Sequence, residues 1–345
     1  NLNPSSGNGG KTELFIRGHM NVSDSGSRLC NGYQDGNISI FTVDGPDALL
    51  DLGSGGSYAF EASGKIQTVR FNVNDSGVLR VGLLYRNKVT SADSRFSVAF
   101  DGGIFACGAS AEDVFSYQDQ PLDSVRIHSK GMTVDTRGVS TGTGVALTAA
   151  SGKGVTEIPF DWATFPQWNV PPFIRIDGDG DGATAHALFD SSSQCVTGVV
   201  ITCSGSGYTT ATATAVYVGN GCPSSQTVDC VLSDNVTTGS FTKTGTGTFT
   251  LNAENSWGGK TIAAGGTLKV GCDNAIPAGT SVLLAGGDID FNDKECSVAN
   301  VTYGVGGGRL LKTGNVQLPS TFDMAITADE ILSNQSVPLS GNQDL

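Results

Sequence analysis

The chain has 345 residues, 48 of them glycine, with 15% charged residues and a formal net charge of −13. Its 20 scattered Lys and Arg against 33 Asp and Glu exclude a nucleic-acid groove, which needs clustered cations to displace phosphate counterions. No apolar run is long enough to span a bilayer as a helix, and glycine without a Gly-X-Y period excludes collagen.

In chain order, residues 1–35 read as an N-terminal arm or cap, Gly-, Ser- and Asn-rich over Asn1 to Lys11. No signal peptide opens the sequence, so a leader is expected to have been removed. Short alternating runs of Val, Thr, Ile and Phe follow, and no long segment has apolar residues at helical spacing, so the fold class is all-β. Ala328 to Leu332 is the best helical stretch and is too short to stand alone. Residues 36–158 read as strand coils. In them Ser97-Val98-Ala99-Phe100-Asp101-Gly102-Gly103-Ile104-Phe105 sets strand, glycine pair and strand in sequence. Lys130 to Gly138 repeats the turn chemistry.

Residues 159–235 differ. Pro159 to Phe173 contains Pro159, Pro166, Pro171 and Pro172 together with Trp162 and Trp168. Proline removes a ladder donor, so this is a loop or boundary. Gly180-Asp181-Gly182-Ala183-Thr184-Ala185, Val196 to Thr202 and Gly205-Ser206-Gly207-Tyr208 follow. They resemble a short module of large bacterial surface and phage proteins, which implies β-hairpins projecting from the main body.

Residues 236–345 carry the clearest repeat. Gly265-Gly266, Gly286-Gly287 and Gly307-Gly308 recur every 21 residues, each pair followed by a short strand. A fixed period near 20 is the mark of a solenoid whose coils bury their apolar side chains only on each other. Phe249, Leu268, Ile289 and Leu310 should form one interior column, with Leu251, Val270 and Phe291 beside it. Gln335 to Leu345 reads as a strand opening a further coil, which would leave an edge for end-to-end self-association.

The run Phe241 to Leu251, then Asn255-Ser256-Trp257-Gly258-Gly259-Lys260-Thr261, then Gly265 to Gly271 resembles the autotransporter-associated β-strand repeat, with Trp257 at the usual tyrosine. The resemblance implies a right-handed parallel β-helix in a large secreted or surface-displayed bacterial protein, and it implies no enzymatic activity. The expected function is an extracellular scaffold or self-associating filament subunit. A glycan-binding adhesin and a polysaccharide lyase or hydrolase are the alternatives.

Few residues suggest chemistry. Asp177, Asp179 and Asp181 alternate with glycine like the start of a calcium loop, but Leu188 stands where the closing glutamate should be; an acidic turn is the alternative. Trp162 and Trp168 would stack on surface glycans or simply cover the helix. Asp288, Asp290 and Asp293, with Lys294 and Arg309, are the acids available to a lyase or hydrolase, or ordinary corner residues. His19, His128 and His186 are isolated, and no Gly-x-Ser-x-Gly elbow is present. No catalytic residue is assigned. The eight cysteines include no C-x-x-C, which favours disulfides over zinc. Local spacing pairs Cys195 with Cys203, Cys222 with Cys230 and Cys272 with Cys296, leaving Cys30 with Cys107; buried free thiols are the alternative. Disulfides would place the chain outside the cytosol.

Overall fold

The computed structural model describes residues 10–22, 36–53, 57–61, 66–87, 93–117, 120–161, 170–216 and 226–324, and these form strands, turns and loops only. No helix there is long and apolar enough to cross a membrane. The short helical stretch Ala328 to Leu332 and the strand reading of the tail both lie outside the described residues.

Three parallel sheets carry most of the chain. Lys11–Ile16, Asn37–Asp44, Gln67–Asn74, Arg95–Asp101, Ser124–Ile127 and Leu147–Ala149 lie side by side in that order, each parallel to the next. A second sheet runs from His19–Asn21 through Leu49–Asp51, Val78–Val81, Gly103–Cys107 and Met132–Asp135. It then takes in Phe241–Thr244, Thr261–Ala263, Thr280–Leu284, Cys296–Tyr303 and Val316–Gln317. The third joins Thr141–Thr143, Thr248–Leu251, Gly266–Val270, Gly287–Asp290 and Leu310–Leu311. Parallel neighbours need a crossover, and here each crossover passes through another sheet before the chain returns.

Register stacks like on like. Leu14, Phe41, Phe71, Val98, Val125 and Leu147 follow one another across the first sheet, and the Phe41 and Phe71 rings stack at 4.9 Å. In the third sheet Phe249, Leu268, Ile289 and Leu310 align as the repeat predicts. Those four, with Leu251, Val270 and Phe291, are buried within one apolar core that extends from Ile16 to Leu310. Trp257 packs inside this core, stacked on Phe241 at 4.8 Å with its indole N–H donated to Thr261 Oγ1.

One interior column breaks the apolar rule. Leu50, Leu79, Phe105, Val134, Lys243, Ala263 and Leu284 succeed one another in register. Lys243 is fully buried. Its ammonium donates to the carbonyl oxygens of Thr244, Gly245 and Gly265 at 2.8, 2.7 and 2.8 Å, and lies 3.1 Å from Thr136 Oγ1. These oxygens belong to neighbouring rungs, so the lysine ties rungs together; the Thr244 carbonyl also accepts the Thr136 N–H and hydroxyl. Asn255 does the same with an amide. It accepts from Leu147 N–H and donates to the carbonyls of Ala253 and Ala275.

Between Met132–Asp135 and Phe241–Thr244, adjacent in the second sheet, the chain leaves the parallel body. Lys153–Glu157 and Val231–Asp234 pair antiparallel as a stem. An antiparallel sheet follows, built from Phe173–Gly178, Thr184–Asp190, Cys195–Cys203, Ala211–Val216 and Gln226–Asp229. Its core is separate and alanine-rich: Ala183, Ala185, Ala187, Ala211, Ala213 and Ala215 with Ile174, Val196 and Tyr208. Alternating small residues let this sheet pack flat.

The sheet docks on the outer face of the first parallel sheet. Arg70 donates to Asp181 at 2.8 Å, Asn72 to Thr184 Oγ1 at 2.8 Å and Asn74 to the Thr202 carbonyl at 2.8 Å. His186 stacks on Phe15 at 4.7 Å and lies 3.2 Å from Glu13. Thr42 and Asn72 point away from the parallel core yet are buried, because the antiparallel sheet lies over them.

Among the described residues no disulfide holds this sheet. Cys107, Cys195, Cys203, Cys230, Cys272 and Cys296 are free. Cys195 and Cys203 begin and end the same nine-residue strand, about 27 Å apart at roughly 3.4 Å per residue, far beyond bonding reach. Cys272 and Cys296 are not bonded to each other. Cys30 and Cys222, expected to pair with Cys107 and Cys230, lie outside the described residues.

Two consequences are measurable. Lys243→Met takes the ammonium from the half-buried Gly245 and Gly265 carbonyls, and should lower the unfolding free energy by about 2 kcal/mol in urea titration at neutral pH. Burial draws the Lys243 pKa from 10.5 down to about 8. Between those values the unfolded lysine keeps a proton that the folded one has lost, so stability rises with pH. The urea midpoint of the parent chain should therefore climb relative to Lys243→Met across that window.

Arg70→Met leaves Asp181 facing the interface without its cation, a loss of about 2 kcal/mol in docking. Limited proteolysis should then cut within residues 153–234 sooner, while the parallel body stays intact.

Candidate functional site

Where the antiparallel sheet meets the first parallel sheet, a cleft of about 360 Å³ opens between the two units. Its rim carries Arg17, Asp44, Asp75, Asp101 and Lys130 from successive turns of the parallel body. Arg17 pairs with Asp44 at 3.2 Å and Lys130 with Asp75. Asp101 accepts the Lys130 backbone N–H at 2.8 Å and faces Ser129 Oγ at 3.2 Å. The Asp75 contact holds the Lys130 ammonium above its ordinary pKa.

His128, Cys203 and Ser204 also line the cleft. His128 directly follows the strand Ser124–Ile127, with its backbone N–H on the Phe100 carbonyl at 2.8 Å. A Cβ on Gly239 would lie 1.9 Å from the His128 carbonyl oxygen, so the returning chain must be glycine there. Cys203 ends the long strand Cys195–Cys203 opposite Thr184. Ser204 and Asn235 are fixed by the stem: Val155 N–H donates to the Ser204 carbonyl, and Asn235 N–H donates to the Gly152 carbonyl, each at 2.8 Å.

The hydrogen-bond chain sets the imidazole tautomer. The Asn235 amide group donates to the Gly205 carbonyl at 2.9 Å, which leaves its Oδ1 facing Ser204. That oxygen only accepts, so the Ser204 hydroxyl donates to it at 3.0 Å. Ser204 Oγ is then the acceptor for His128 Nδ1–H at 3.3 Å. The lone pair of Nε2 is left pointing at Cys203 Sγ, 3.5 Å away. A base oriented by a third group beside a nucleophile is the arrangement that activates thiols.

The electrostatics agree with that geometry. Burial alone pushes the Cys203 thiol up, but the facing His128, the adjacent Gly205 backbone and the Arg70 charge outweigh it, and the net direction is down. Burial likewise lowers His128, and the charge and hydrogen bond of Cys203 overcome it, so its pKa is raised. The two opposite shifts are those expected of a thiol that faces an imidazole. Gly205 has φ +68°, and a Cβ there would stand 2.4 Å from Ala183 N, so the turn after Cys203 requires glycine.

The residues singled out from sequence are dispersed. Asp177 accepts from Arg175 Nε at 2.6 Å, and Asp181 from Arg70. Asp179 accepts the Thr209 hydroxyl and the Thr209 and Thr210 N–H groups, which hold its carboxyl far below the usual range. Each carboxylate has its own protein partner and the three do not converge. Among the described residues no three His, Cys, Asp or Glu side chains gather where they would hold a metal. Trp162 and Trp168 lie outside the described residues. Asp288 takes the Arg309 guanidinium at 2.6 Å and Asp290 faces Lys312 at 3.5 Å, so these acids tie adjacent corners. His19 is exposed on its strand, whereas His128 and His186 are interface residues and not isolated ones. Sequence reading missed the Cys203–His128 pair because 75 residues separate them. Its one local signal is the glycine-rich turn Gly205-Ser206-Gly207 after the cysteine.

Comparison with known proteins adds one finding. The family model for the passenger-associated-transport-repeat matches residues 241–270. No curated protein and no solved structure matches the chain. The matched segment contains the inward-facing Phe241, Lys243, Phe249, Leu251, Asn255, Trp257, Leu268 and Val270. What is shared with that family is therefore a short repeat whose buried residues face the apolar core.

Proposed function

We propose that this chain is part of a passenger-type protein, secreted or displayed at a bacterial surface, that acts as a scaffold. Its parallel portion winds as a right-handed β-helix and carries the antiparallel sheet on its flank. The observation that carries this reading is the passenger repeat at residues 241–270, whose matched residues include those that stack rung on rung. The handedness is supported by the strong steric preference of parallel crossovers for the right hand. The role as a carrier is supported by the separate core of the antiparallel sheet, which docks on one face without interrupting the ladder.

Two measurements test the reading. The second sheet has ten strands along its path, which at about 4.8 Å spacing makes a body on the order of 45 Å long. Small-angle scattering of the purified chain should fit a short rod with a lateral lobe. On intact cells that make the full-length protein, added protease should degrade it. Protection until lysis, with an otherwise susceptible protein, would refute surface display.

A further inference from the structure

We propose that Cys203 is a nucleophilic thiol for exchange with small disulfides, with His128 as its proton acceptor and Ser204 and Asn235 as residues that position the imidazole. Two observations carry this. The sulfur lies 3.5 Å from the ring nitrogen that the hydrogen-bond chain leaves unprotonated. Both side chains border an open cleft of about 360 Å³ that admits a small molecule, although each is largely buried, at 8% and 6% exposed.

The chemistry balances without an outside oxidant. His128 Nε2 takes the Cys203 proton, and the thiolate attacks one sulfur of R–S–S–R. A new S–S bond forms to Cys203 as the old one breaks. The departing R–S⁻ takes the proton from His128 and leaves as R–SH. One disulfide and one thiol become one mixed disulfide and one thiol. Charge develops only on sulfur, so a thiolate and a proton carrier suffice. Acyl transfer would in addition need preorganised donors aimed at an oxyanion. Cys195, the nearest cysteine in sequence, is at the far end of the same strand, so the mixed disulfide has no resolving partner there. The site would hold the incoming thiol until a second one displaces it.

The groups facing the pair come from every element around it. His128 feels Cys203, Asp101 and Arg126, while Cys203 feels His128 and Arg70 and couples to Tyr208, itself near Asp181. The only imidazole among these is His128, so removing it should dominate any change in pH profile near neutrality.

The test uses the whole native chain and 4,4′-dithiodipyridine, whose thione release reports each thiol consumed, followed by peptide mapping of the labelled cysteine. At about pH 6, where ordinary thiols near 8.5 are almost fully protonated, one thiol should react about tenfold faster than the rest and map to Cys203. Cys203→Ser should remove the fast phase. His128→Gln should slow it about tenfold and move its pH profile to that of an ordinary thiol. Should His128→Gln fail to fold by circular dichroism, Ser204→Ala keeps the base but loses its orienting hydroxyl, and should shift the profile the same way. Cystine should form a mixed disulfide at Cys203, seen as a mass increase reversed by dithiothreitol. Absence of a fast phase in the native chain, mapping to another cysteine, or a folded His128→Gln with unchanged rate and profile each overturns the proposal. None of these readouts depends on where the protein is displayed.

Discussion

Parallel pairing across the insertion is the constraint on which the other features rest. Thr136 and Thr244, 108 residues apart, meet in one rung. Closing a loop of that length is only about 1.5 kcal/mol harder than closing one of 20 residues, because the entropy grows with the logarithm of length. The antiparallel stem Lys153–Glu157 with Val231–Asp234 shortens the effective loop further. What remains is to make the junction specific, and Lys243 does that. An apolar residue in its place would pack equally well at several registers. An ammonium with acceptors on three neighbouring stretches of backbone is satisfied at one register only. A buried charge is weak evidence for raw stability and better evidence for fixing a register, and here it stands at the single rung where the chain must find its way back.

The repeating part of this arrangement was legible in the sequence because its signal is periodic. Glycine pairs every 21 residues place Leu268, Ile289 and Leu310 at one phase, and the sheet register repeats that phase. Trp257 was legible as part of the turn motif. Its stacking on Phe241 was not, since nothing local says that two aromatics 16 positions apart share a coil interior. Lys243 was not legible as an interior residue: lysine is ordinarily a surface residue, and only the register shows that it continues a column of Leu, Phe and Val.

The geometry of the cysteines and aspartates of the inserted sheet is not legible for a different reason. Short spacing is not proximity there, because a strand separates its ends as far as any structure can. Cys195 and Cys203 are thus the most distant pair their spacing allows. The same extension strings out Asp177, Asp179 and Asp181 along a strand end and the turn after it, where each meets a different neighbour. Clustering of ligands needs a loop that curls back on itself, and here the chain extends and then turns once.

The interface between the two units explains why the candidate site exists there at all. Both contributing faces are the solvent faces of their own sheets, so they are rich in Asn, Thr, Arg and His. Pressing them together buries polar groups that must then bond to each other: Asn72 to Thr184, Asn74 to the Thr202 carbonyl, Thr184 to Thr202. Cys203 and His128 meet under the same compulsion. The thiol comes from one unit and the imidazole from the other. Neither unit alone contains the pair, and a slip of one residue along the strand in docking would carry the thiol about 3.4 Å away from the imidazole. The thiol–imidazole contact is therefore a property of the docked state.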